Sequence, residues 1–125
     1  MTAASVMTSD HLQTLNEHLA VDVAGEMMAW QSIRHVPVVD DAGRVVGLIT
    51  HRDLLRLAAR GETGRLAAEV MTPVRLTFRP ETPLKVIIEA MITRKWGCAL
   101  ITDDDRHLLG ILTEADFLHI VYGML

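Results

Sequence analysis

Cysteine, aromatic residues and long apolar runs are all scarce in this chain, and each scarcity excludes something. The single cysteine, Cys98, leaves no partner for an internal disulfide and no thiolate cluster for a metal, which suits a reducing compartment. Aromatic residues make up only 4% of a chain that is 50% hydrophobic, so any core is built from Val, Leu, Ile, Ala and Met. No apolar run is long enough for a signal peptide or a membrane span, and the expected setting is cytoplasmic, with no membrane partner. The formal net charge of −4, with no extended run of Lys and Arg, argues against nucleic acid as a partner.

Catalytic signatures are missing as well. There is no Gly-rich phosphate loop, no paired catalytic acid and no nucleophile beside a base, so the chain is not expected to be an enzyme. The histidines, His11, His18, His35, His51, His107 and His119, form no close pair at ligand spacing, and no metal site is expected.

What the chain does contain is a repeat. GLITHRD, Gly47 to Asp53, returns 63 residues later as GILTEAD, Gly110 to Asp116. VMT at Val6 to Thr8 returns as VMT at Val70 to Thr72, 64 residues on, so one short loop differs by a single residue. Each copy is an apolar run that ends in Thr and passes directly into an amphipathic stretch, which reads as strand, Thr, helix. At 125 residues the chain divides into copies of roughly 60 residues, 1–62 and 63–125. A unit that small buries a marginal share of its surface, so the copies are expected to share one core.

Reading along the chain, Ala3 to Met7 predicts a turn of helix, Leu12 to Leu15 a short strand, and Val21 to about Ser32 a helix weakened by Gly25. HVPVVD predicts a buried strand with Pro37 near its start, DDAG a turn, RVVGLIT a strand, and His51 to about Arg60 a helix. GETGR marks the link between copies. In the second copy a strand is expected around Val74 to Phe78, followed by a helix with Pro83 at its first position. Leu84, Ile87, Ile88 and Met91 face inward on that helix, with Lys85, Glu89 and Arg94 toward water. CALIT and HLLGILT then form a strand pair around TDDDR, and the last helix runs from Glu114 to about Tyr122. Strand, helix, strand, strand, helix is an α+β pattern.

A Met-Thr opening, an amphipathic helix, a strand near VVD and Gly-apolar-apolar-Thr-x-x-Asp, present twice, resemble a pair of CBS domains, the arrangement known as a Bateman module. The resemblance covers about Ala4 to Tyr122. It implies two tandem β-α-β-β-α repeats related by pseudo-twofold symmetry, with two clefts between them, and side-by-side homodimers. It also implies an adenosine-containing ligand: AMP, ADP or ATP, with S-adenosylmethionine, NAD and cyclic dinucleotides open. Asp53 and Asp116 would then hold the ribose, and Thr50 and Thr113 would lie near the phosphate. The base would lie along Val36, Pro37 and Val38 in one copy and Cys98, Ala99 and Leu100 in the other. Pro37 has no proline counterpart in GCALIT, and Trp96 is bulky, so the two pockets are expected to differ in shape; Trp96 reads more simply as a core or rim residue.

The residues themselves allow a plainer account. Thr followed by Asp three positions later has the spacing of a helix capping box with Asp in place of Glu. Capping and ligand binding are compatible, because a helix start offers free N–H groups to an anion while a carboxylate accepts ribose hydroxyls. The copies differ at this point. His51 and Arg52 stand in one and Glu114 and Ala115 in the other, so a phosphate is favoured at the first and repelled at the second. The expected function is therefore a free-standing nucleotide sensor that signals to a separate, unidentified partner. The alternative is a structural dimerisation module with empty clefts.

Overall fold

The computed structural model describes residues 1–125 and divides into two compact units. One unit comprises Gln13–Arg75, the other Met1–Leu12 together with Leu76–Leu125. These are not the sequence copies 1–62 and 63–125, because each Met-Thr opening is packed with the strands of the opposite copy.

In the Gln13–Arg75 unit, β1 (Leu15–Asn16), β2 (His35–Val39), β3 (Val45–Thr50) and β4 (Thr72–Pro73) form one sheet in that order. β1 runs parallel to β2, and the other pairs are antiparallel. Helix α2 (Asp22–Gln31) connects β1 to β2, α3 (His51–Ala59) follows β3, and the short α4 (Ala67–Val70) leads into β4. On β3, Val45, Gly47 and Ile49 are buried while Val46, Leu48 and Thr50 are partly exposed, the period of two expected for a sheet with one face on a core. That core comprises Leu15, Val21, Ala24, Val36, Val38, Ile49, Leu57 and Ala67.

The other unit repeats the plan with fewer ladder residues. α1 (Ala3–Val6), α5 (Leu84–Arg94), β5 (Cys98–Thr102), β6 (Leu108–Thr113) and α6 (Glu114–Met124) are its elements. β5 and β6 are antiparallel, Phe78 forms a single parallel bridge to Ile101, and Thr8 forms an antiparallel bridge to Ile111. These single bridges stand where β1 meets β2 and where β4 meets β3. Its core comprises Ala3, Phe78, Leu84, Ile87, Met91, Ala99, Ile101 and Leu112. Each unit thus has its own buried cluster, contrary to the expectation of one shared core, because each sheet is covered by its own two long helices.

Four local expectations are corrected. The strand expected over Leu12 to Leu15 is only Leu15–Asn16, and the one expected around Val74 to Phe78 is displaced to Thr72–Pro73, with Phe78 in an isolated bridge. Pro83 is the residue before α5 and has extended backbone; Thr82 turns back to accept the N–H of Arg79 on its hydroxyl. Pro37 lies in mid-strand, buried, opposite Leu48, and is tolerated because β1 reaches only Val38 and Val39 on its other side.

The two hairpins are locked alike. The Asp40 carboxylate accepts the N–H groups of Ala42 and Arg44, each at 2.9 Å, and the Asp103 carboxylate accepts those of Asp105 and His107, each at 2.9 Å. These bonds hold both carboxyls below their usual pKa, with the backbone donors at Arg44 and His107 as the largest cause. Neither residue had been singled out from the sequence beyond its place in a turn.

Candidate functional site

Each strand of the type Gly-apolar-apolar-Thr ends at the first turn of a helix, and the helix start is closed by its own Asp. At α3, Oδ2 of Asp53 accepts the backbone N–H of Thr50 at 2.8 Å and its hydroxyl at 3.1 Å, while the Asp53 N–H donates to Thr50 Oγ1 at 3.4 Å. At α6, Oδ2 of Asp116 accepts the N–H of Thr113 at 2.8 Å and its hydroxyl at 3.3 Å. In both copies the Asp carboxylate closes on its Thr as the spacing leads one to expect, committing one oxygen of each carboxylate, and at α3 the Asp53 N–H completes the capping box.

The second oxygen is held differently in the two copies. Oδ1 of Asp53 lies 3.6 Å from the Arg56 guanidinium, one turn along the same helix. Oδ1 of Asp116 accepts the Thr8 hydroxyl at 3.4 Å. Both contacts are long, and a ligand hydroxyl at normal distance would exchange with either. Asp53 is also the more enclosed, at 8% exposure, whereas Asp116 is only half-buried.

The Met-Thr opening reaches this region through a glycine. A β-carbon on Gly110 would stand 2.8 Å from Cγ of Met7 and 3.1 Å from the Thr8 carbonyl; on Gly47 it would stand 2.7 Å from Cγ of Met71. Only a residue without a side chain lets Met lie across the strand, which brings Thr8 beside Ile111 and Thr72 beside Leu48. The repeated Gly and the repeated Met are two halves of one contact.

The charges around the helix starts differ as the sequence suggested. His51 and Arg52 are exposed at the first turn of α3, and the His51 N–H donates to the Arg34 carbonyl at 3.0 Å, which adds a third basic residue beside Thr50. Glu114 is exposed at the start of α6. Arg34 and Thr8 were not selected as site residues from the sequence. Thr8 lies in a repeated triplet and was open to recognition, whereas Arg34 is adjacent only through the pairing of His35 with Thr50.

The other expected site residues lie in the core. Val36, Pro37 and Val38 are buried in β2, and Cys98, Ala99 and Leu100 in β5. Burial pushes the Cys98 thiol up to about 12. Trp96 packs against the edge of its unit's core with the Arg94 guanidinium 5.2 Å from the ring centre, so it is a rim residue.

The CBS domain family model matches residues 3–60 and 67–123. The chain belongs to the CBS domain family. Its two β-α-β-β-α repeats are the two matched segments, and the mixed helix and sheet fold is that of a CBS pair. A candidate acetoin utilization protein (AcuB) of Vibrio cholerae has the same fold at a TM-score of 0.90 and 30% identity, with 99% of this chain and 93% of that one covered. CBSX2, solved in complex with AMP, aligns at a TM-score of 0.86 and 26% identity over 98% of this chain and 97% of that one. A homoserine O-acetyltransferase of Methanohalobium evestigatum is 27% identical over 118 residues, 94% of this chain but 24% of that protein. The CBS pair thus spans about a quarter of that relative's length.

Proposed function

We propose that this CBS pair is a regulatory module that binds an adenosine-containing ligand at its Thr-x-x-Asp helix starts and reports occupancy to a separate protein. The observation that carries the reading is the doubled arrangement itself. In each copy an Asp carboxylate is oriented by its own helix start, and a Met packed on glycine holds a Thr beside the strand that leads to it. Such a carboxylate is prepared to accept paired ribose hydroxyls, and the adjacent N–H groups suit a phosphate. CBSX2, of nearly equal length, was solved with AMP.

Within this reading Asp53 and Asp116 hold ribose, Thr50 and Thr113 lie near the phosphate, and His51 and Arg52 favour the phosphate at α3. The base lies along the backbone of Val36, Pro37 and Val38 or of Cys98, Ala99 and Leu100. The ligand is AMP, ADP or ATP, with S-adenosylmethionine or NAD as the next choices. The function is regulatory rather than catalytic, and the module works as a homodimer in the cytoplasm, where a single buried thiol is stable.

One observation favours a second reading: Oδ2 of each Asp is fully used in capping, as a purely structural dimerisation module would require. A thermal-shift panel separates the two. A ligand bound only by the folded state stabilises it by RT ln(1 + [L]/Kd), about 2.7 kcal/mol at a hundredfold excess over Kd. An upward shift with adenine nucleotides, and nucleotide found by mass spectrometry in purified protein, are the expected results. No shift with any adenosine compound at millimolar concentration would leave the structural module.

A further inference from the structure

In each of the two Met–Gly contacts the atom pressed closest to the glycine is the methionine sulfur. A β-carbon on Gly110 would stand 2.5 Å from Sδ of Met7, and on Gly47 the nearest atom would be Sδ of Met71. Each methionine is also tied on both sides. Its N–H closes a one-turn helix by donating to the carbonyl of Ala3 at 2.8 Å or of Ala67 at 2.9 Å, and both alanines are fully buried. The Thr that follows is bound to the strand: Thr8 and Ile111 exchange two N–H to carbonyl bonds of 3.0 Å, and Thr72 pairs with Leu48. Neither methionine can leave its glycine without straining one of these ties.

Met7 and Met71 are nonetheless only half-buried, so a small solute reaches them, whereas Met91 is enclosed in its core. A hydroperoxide oxidises a thioether in one step: a sulfur lone pair attacks a peroxide oxygen, the S–O bond forms as the O–O bond breaks, sulfur gives up two electrons, and hydrogen peroxide leaves as water. The product is a polar sulfoxide in place of an apolar, adaptable side chain. Met7 packs against one apolar cluster and Met71 against the other, and neither cluster offers the new oxygen a hydrogen-bond donor. The oxygen must turn to water, and turning it draws the sulfur off the glycine.

We propose that Met7 and Met71 are paired oxidation sites, at which a hydroperoxide converts the thioether to a sulfoxide and thereby releases the Met-Thr opening of each copy from the strand it crosses. In one unit the release parts Thr8 from Ile111 and withdraws the Thr8 hydroxyl from Asp116; in the other it parts Thr72 from Leu48. The device is reversible, because enzymatic reduction of the sulfoxide restores the thioether. It is independent of nucleotide binding.

The test is treatment with hydrogen peroxide, quenched with free methionine and mapped by peptide mass spectrometry. Met1 and Met124, exposed at 75% and 80%, serve as internal controls that oxidise without consequence. Sulfoxide at Met7 and Met71 should lower the urea midpoint and speed amide exchange at Thr8 and Ile111 by about tenfold or more, the mark of local opening. A methionine sulfoxide reductase should restore both readouts. The double variant Met7→Leu, Met71→Leu, similar in volume but not oxidisable, should keep its midpoint under the same treatment. Met7 and Met71 left intact once Met1 and Met124 are fully converted would overturn the proposal. So would their oxidation with midpoint and exchange unchanged, or an equal fall in the double variant. The reductase step uses the parent protein alone, so it decides the matter even where the double variant does not fold: a midpoint that stays low after reduction contradicts a reversible release.

Discussion

Met7 lies across Gly110 so closely that a β-carbon there would stand 2.8 Å from the methionine Cγ. This contact joins residues that are far apart in the chain, and it explains why a glycine interrupts an otherwise apolar strand. Gly110→Ala should destabilise the protein by about 1–3 kcal/mol, because an inserted methyl group in a packed contact displaces its neighbours. In a Met7→Ala background the same change should cost clearly less, since the two positions are in contact and their effects do not add. Urea unfolding of the four proteins checks this; equal costs in both backgrounds would show that Met7 is not the obstacle.

The local half of this fold was legible in the sequence. β3 and β6 with the helices that follow them, the inward face Leu84, Ile87, Ile88 and Met91, and the caps at Thr50 and Thr113 are each set by residues within a turn or two of one another. What was not legible depends on distant pairing. Thr8 bridges to Ile111 and Thr72 pairs with Leu48, so each Met-Thr opening joins the strands of the other copy, and no local period records that. β1 and β4 are two residues long, too short for alternation to mark their limits. Arg34 reaches the α3 start only because β2 and β3 are paired.

Asp40 and Asp103 predict an acid dependence. Both pKa values are lowered in the folded state, so their contribution is present above the usual carboxylate range, near pH 4, and is lost as pH falls through the lower folded values. The double variant Asp40→Asn, Asp103→Asn keeps a side-chain acceptor but cannot titrate. Its urea midpoint should fall less than the parent's between pH 5 and pH 3. Parallel curves would show that these two hairpin carboxylates do not govern the acid limb.

Cys98 should be inert in the folded protein. It is buried, and its thiol pKa is pushed up to about 12, so almost no thiolate is available at pH 8. A chromogenic disulfide reagent should react slowly with native protein and rapidly in urea. Fast native reaction would mean that β5 opens readily.

Titration calorimetry with AMP and ATP on the parent, Asp53→Asn and Asp116→Asn tests the nucleotide reading most directly. Asn retains an acceptor for the Thr50 or Thr113 N–H, so a role in capping alone predicts stability changes of under about 1 kcal/mol and unaltered binding. A carboxylate that holds ribose contributes charge-assisted hydrogen bonds worth about 1.5–3 kcal/mol, so affinity should fall by about tenfold or more in the variants. The loss should be larger at Asp53 for a phosphorylated ligand, where His51 and Arg52 flank the helix start and Glu114 does not. Urea unfolding alongside confirms that each variant remains folded. Binding in the parent with unchanged affinity in both variants would contradict the account, leaving the two aspartates as caps and the nucleotide elsewhere.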